Sequence, residues 1–123
     1  MYELSVKLNF SAAHNLRKLK GKCEALHGHN YKVEILVSSK ELTEEGIVMD
    51  FGDLKSALKE VLEKLDHKYL NEIPPFDKEE PSCENLAKFI TNELLRHIPS
   101  NVVIKKVTVW ESEDTSASYL PTP

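Results

Sequence analysis

Three of the five histidines in this 123-residue chain fall where they can act together. His27-Gly28-His29 spaces two imidazoles two residues apart, which on an extended strand puts both on one face. His14 stands two residues beyond Ala12 on the apolar side of a separate alternating segment, so an adjacent strand can bring a third imidazole to the pair. Three neutral imidazoles with no fourth protein ligand in evidence match a catalytic zinc site, which keeps one position for water or substrate. Histidines on a buried face also serve an ordinary core by bonding backbone carbonyls, and that reading stands beside the metal one.

Other reactive side chains gather around this set. Cys23 lies four residues ahead of His27 and close to Lys20 and Lys22. A thiol near cations and a metal loses its proton more readily and can act as base or nucleophile, whereas a buried apolar setting would leave it inert. Cys83 lacks such neighbours and reads as structural. Asp66-His67 follows a helical stripe, where an acid beside an imidazole serves proton transfer or simply complements the helix C-terminus. Glu111 shares the apolar face of Val107 and Val109. A carboxylate there needs donors, which a ligand with paired N–H groups would supply unless the strand end lets it reach solvent. Arg17, Lys18, Lys20 and Lys22 form a basic connection fit either to receive a polyphosphate or to stay solvated.

The elements that must position these groups are legible from periodicity. Apolar residues at Tyr2, Leu4, Val6, Leu8, Phe10 and Ala12 alternate with polar ones, and so do Tyr31, Val33, Ile35 and Val37, which predicts two half-buried strands. Leu36 is the irregular position of the second. Leu54, Leu58, Val61, Leu62 and Leu65 form a helical stripe that Asp50 or Asp53 can cap. Ser82 is placed to cap a second helix carrying Leu86, Phe89, Ile90, Leu94 and Ile98 inward, stopped by Pro99. Val103, Val107 and Val109 return to strand spacing, and Tyr119 and Leu120 close a short last strand. The predicted order is ββααββ in a single α+β domain spanning residues 1–123.

Composition narrows the function classes. Sixteen Lys and Arg against twenty Asp and Glu give a net charge of −4, the wrong balance for a protein whose main partner is nucleic acid. No stretch approaches the length of a membrane span and no apolar run resembling a signal peptide opens the chain, so the expectation is a cytoplasmic enzyme with no membrane partner and with reduced Cys23 and Cys83.

Six segments together closely resemble one family: Phe10-Ser11-Ala12-Ala13-His14, Cys23 to Tyr31, Met49 to Leu54, Leu65 to Asn71, Pro81 to Ala87, and Trp110-Glu111-Ser112. In this order, over nearly the whole chain, they are similar to the 6-pyruvoyl-tetrahydropterin synthases and 6-carboxytetrahydropterin synthases. The resemblance implies the tunnelling fold, in which a four-stranded antiparallel sheet with two helices on one face joins its copies into a barrel. It also implies a homo-oligomer, a trimer or a hexamer made of two trimers, with the active site between subunits. By position, His14, His27 and His29 match the zinc ligands and Cys23 the catalytic base. Asp66 and His67 match the proton-relay pair, and Glu111 the pterin anchor. Ser82 and Glu84 match the groups that help hold the pterin, with Ser82 in place of the more usual threonine.

The implied substrate is 7,8-dihydroneopterin triphosphate. Three residues separate Cys23 from the His-Gly-His triplet, the pattern of 6-carboxytetrahydropterin synthases of the queuosine pathway, whereas 6-pyruvoyl-forming members tend to have five. Glu24 also occupies the place, three residues before His27, of the glutamate in members that cleave the side chain to 6-hydroxymethyl-dihydropterin for folate. The expectation is therefore 6-carboxytetrahydropterin and acetaldehyde, with 6-pyruvoyl or folate-directed chemistry, or dual activity through Glu24, as the alternative. A catalytically silent pterin-binding zinc protein is the reading from outside the enzyme class.

Overall fold

The computed structural model describes residues 1–19 and 25–121, so Lys20, Lys22, Cys23 and Glu24 lie outside the described residues. Strand β1 (Tyr2–His14) and strand β2 (His27–Ser39) are followed by helix α1 (Phe51–Leu62), a two-residue strand β3 (Lys68–Tyr69) and a single 3-10 turn. Helix α2 (Cys83–Leu94), strand β4 (Val103–Trp110) and strand β5 (Ser116–Tyr119) complete the chain. The sheet runs β3-β1-β2-β4-β5. Its four longer strands are antiparallel neighbours, as the family resemblance implies. The expected four-stranded sheet gains a fifth member, because β3 lies parallel to β1 through Ala12 opposite Lys68 and Ala13 opposite Tyr69. Two residues carry no readable period, which is why β3 is silent in the sequence.

One face of the sheet supplies Val6, Phe10, Tyr31, Val33, Ile35, Val37, Ile104, Val107 and Val109 to a single core shared with both helices. Asp50 caps α1 by accepting from the Asp53 N–H at 3.2 Å, and Ser82 caps α2 by accepting from the Asn85 N–H at 3.2 Å. Leu65 lies past the end of α1 yet is fully buried, so its apolar stripe outlasts the helix.

The pairing of β2 with β4 shifts between Leu36 and Val37. Leu36 faces Lys106 on β4 whereas Val37 faces Ile104, so one residue of β4 is unmatched. Because strand side chains alternate faces, one extra residue inverts the phase. Ile104 is thereby 4% exposed and Val103, expected inward, is 56% exposed. Among the described residues, no helix is long and apolar enough to cross a membrane.

Candidate metal centre

The β1–β2 register aligns the histidines. His14 pairs directly with His27, and Ala12 with His29, so the three imidazoles share the core-side face at one end of the two longest strands. His14 is 1% exposed. Its Nδ1 lies 2.7 Å from the Pro81 carbonyl oxygen, and the His27 Nδ1 lies 2.7 Å from the Ala25 carbonyl oxygen. A carbonyl oxygen only accepts, so each Nδ1 carries the proton and each Nε2 is left with its lone pair. Those two Nε2 atoms face each other at 3.0 Å. Two lone pairs so close repel unless a positive charge lies between them, and neighbouring nitrogens on a tetrahedral zinc with bonds of about 2.0–2.1 Å are spaced similarly.

His29 completes the set. Its Nε2 is buried and makes no hydrogen bond, although Glu111 Oε1 lies 3.1 Å away. One ligand atom from each of His14, His27, His29 and Glu111 falls within 4.8 Å of the others. Burial lowers the pKa of His14 and of His29 from the ordinary imidazole value, with the other histidines adding to the effect. The shift favours the neutral form that a metal needs. The donor set, its fixed tautomers and its uncompensated Nε2 atoms fit zinc, with the three imidazoles as ligands.

Tyr31, fully buried and stacked on Phe10, sets its hydroxyl 3.1 Å from His14 Nδ1. Burial pushes its phenol up, so it stays neutral beside the centre. The alternation of β2 marks Tyr31 only as a core residue. Cys83, expected to be purely structural, also belongs to this region: its thiol donates to Glu111 Oε2 at 3.5 Å. Burial, together with Glu111 and Glu84, pushes that thiol up to about 12. Nothing in the residue type or spacing signals this contact, because it joins the start of α2 to the end of β4.

Asp66 and His67 are brought together, although sequence neighbours rarely bond each other. His67 adopts a left-handed backbone with φ of 59°. Its Nδ1 lies 3.0 Å from Asp66 Oδ2. The other Asp66 oxygen accepts from the Ser11 N–H at 2.9 Å, and the His67 N–H donates to the Ser11 carbonyl. The Ser11 bond, ahead of the His67 contact, holds the Asp66 carboxyl below its usual pKa. The His67 ring is 81% exposed and borders a groove of about 520 Å³ lined by Ser11, Ala13, Gly28, Asn30 and Tyr69 among others. It is not part of the clustered metal-ligand set.

The basic connection divides. Arg17 is committed to the protein itself, donating to the carbonyls of Phe76 at 2.6 Å, Asn71 at 3.1 Å and Glu79 at 3.1 Å and pairing with Glu80. It anchors the chain after β1 and is not free for a phosphate. Lys18 remains exposed, while Lys20 and Lys22 lie outside the described residues. Ser82 spends its acceptor on the α2 cap, which leaves its hydroxyl hydrogen available, and Glu84 is exposed in the first turn.

The 6-pyruvoyl tetrahydropterin synthase family model matches residues 3–122. The chain belongs to this family. A relative from Archaeoglobus fulgidus, named provisionally as a 6-carboxy-5,6,7,8-tetrahydropterin synthase, is 41% identical over 111 residues, covering 90% of this chain and 89% of its own. The dihydroneopterin monophosphate aldolase of Pyrococcus furiosus is 33% identical, covering 88% of each chain. The structure of Caenorhabditis elegans 6-pyruvoyl tetrahydropterin synthase superposes with a TM-score of 0.86 at 29% identity, covering 98% of this chain and 96% of that one. Family membership makes the protein a lyase-type tetrahydropterin synthase acting on pterin small molecules.

Proposed function

We propose that the protein is a zinc-dependent lyase that converts 7,8-dihydroneopterin triphosphate and one water to 6-carboxy-5,6,7,8-tetrahydropterin, acetaldehyde and triphosphate. The convergence of three imidazoles, two with tautomers fixed by backbone carbonyls, carries the metal-dependent part of this reading. Bound there, zinc supplies Lewis-acid polarisation of the substrate's side-chain oxygens. Cys23, just ahead of β2, takes the proton from the side-chain carbons, and His67, oriented by Asp66, returns one. Glu111 accepts from the paired N–H groups on the pterin edge, a charge-assisted contact, and Ser82 and Glu84 support the ring from the start of α2. The 6-carboxy product is favoured by the three-residue gap between Cys23 and His27 and by the name of the Archaeoglobus relative.

The assembly is a ring of copies closed through the sheet edges. Beyond Ala12 and Ala13, the outer edge of β1 has no strand partner among the described residues, and β5 ends the sheet on the other side. Open edges of this kind pair readily with another chain.

A second reading is favoured by one residue and one relative: Glu24, together with the aldolase from Pyrococcus, points to cleavage yielding 6-hydroxymethyl-dihydropterin. Incubation with 7,8-dihydroneopterin triphosphate and mass spectrometry of the products separates the two. Acetaldehyde with the 6-carboxy pterin is expected from the wild type and is lost in Cys23→Ala. Glycolaldehyde-type fragments that vanish in Glu24→Ala would move the assignment to the aldolase reaction. A wild type that binds pterin and yields no product would make the chain a silent pterin-binding protein.

A further inference from the structure

The chain entering α2 touches the site at two places. Pro81 gives its carbonyl to His14 Nδ1 at 2.7 Å, and Cys83, two residues on, gives its thiol hydrogen to Glu111 Oε2 at 3.5 Å. Between them Ser82 caps the helix through the Asn85 N–H, which fixes the backbone that presents both groups. Glu111 lies just past the end of β4, one third exposed, with its other oxygen 3.1 Å from His29 Nε2. A carboxylate at a strand end has free rotation about its side-chain bonds unless something holds one oxygen. A carboxylate oxygen accepts, so sulfur is the donor in this contact, and Cys83 is buried at 8% exposure, where its own rotamer is packed in place.

We infer that Cys83 is a positioning residue: its thiol holds one oxygen of Glu111 so that the carboxylate faces the bound pterin beside the histidine cluster. This rests on the proposed role of Glu111 as pterin anchor and adds the group that orients it. The residue acts through Glu111 and does not touch the reacting atoms.

Two measurements test it. The first is independent of function. In infrared spectra of the zinc-loaded protein, the S–H stretching band that disappears in Cys83→Ala is that of Cys83, and it should move to higher frequency in Glu111→Ala, where the acceptor is gone. A band that stays in place overturns the inference whatever the enzyme does. The second compares Cys83→Ala, Cys83→Val and Cys83→Ser by the Kd for neopterin, read by fluorescence quenching. The Ala and Val variants should bind about three- to tenfold more weakly, the range of one net hydrogen bond, and Ser should return to near wild type. A role confined to packing predicts another order, with Val the best tolerated and Ser the worst. Equal affinities across the series, or an order that follows volume, overturn the inference. Absence of neopterin binding by the wild type itself would overturn the pterin reading on which it rests, while the infrared result still reports on the Cys83–Glu111 bond.

Discussion

Asp66 shows how a single backbone angle can create an acid–histidine pair. A left-handed His67 costs conformational energy, and its return is a ring folded back onto the preceding carboxylate and an N–H given to Ser11. The sequence signals the acid and the histidine but not the φ that joins them, since non-glycine residues seldom adopt it. The three clustered histidines are legible because each sits on the alternating apolar face of its strand. Cys83 and Arg17 were not legible, because their roles depend on partners 28 and 54 or more residues away. The depressed pKa of Asp66 has a definite consequence for stability. A carboxyl whose folded-state pKa lies below the unfolded value stabilises the fold fully above the unfolded value, and that contribution is lost as pH falls through the folded one. Asp66→Asn, which mimics the protonated acid, should therefore lower the urea midpoint at neutral pH, and the two proteins should converge below about pH 4. The gap should be modest because the side chain is 38% exposed. A gap that is constant down to acid pH would show that the Asp66 charge contributes nothing.

At the scale of elements, the two capped helices and the first two strands follow from pattern alone, since Asp50, Ser82 and the alternating apolar residues all point the same way. The β-bulge on β4 does not, because a strand with one inserted residue presents two shorter alternations of opposite phase. Val103 and Val107 share a face only if the strand is regular, and Ile104 takes the inward place instead. Substitution separates the two positions. Ile104→Ala should cost about 2–5 kcal/mol of folding stability by chemical denaturation, while Val103→Ala should stay within about 0.5 kcal/mol. A larger loss at Val103 would mean that β4 is regular and the phase reversal is wrong.

Across the whole molecule, the long β1 strand ties both halves of the site together, carrying His14 on one face and Ser11, the partner of Asp66 and His67, at its outer edge. Ser11 directs its backbone groups away from β2, and residues two apart in a strand repeat that direction, so Asn9, Lys7 and Ser5 do likewise. Lys7→Pro removes one outward N–H and leaves the β1–β2 ladder intact. If copies join through this edge, light scattering should find a trimer or hexamer for the wild type and a smaller species for Lys7→Pro with far-UV circular dichroism preserved. Equal masses for the two would place the subunit contact elsewhere. The account as a whole turns on the metal, because a cation between the rings relieves the facing lone pairs and the proposed lyase chemistry draws on it. Elemental analysis of the purified wild type, His27→Ala, His29→Ala and Glu111→Gln proteins measures this directly. The prediction is about one zinc per chain in the wild type and in Glu111→Gln, with loss from both histidine variants while the fold persists. Full zinc content in both histidine variants would contradict it.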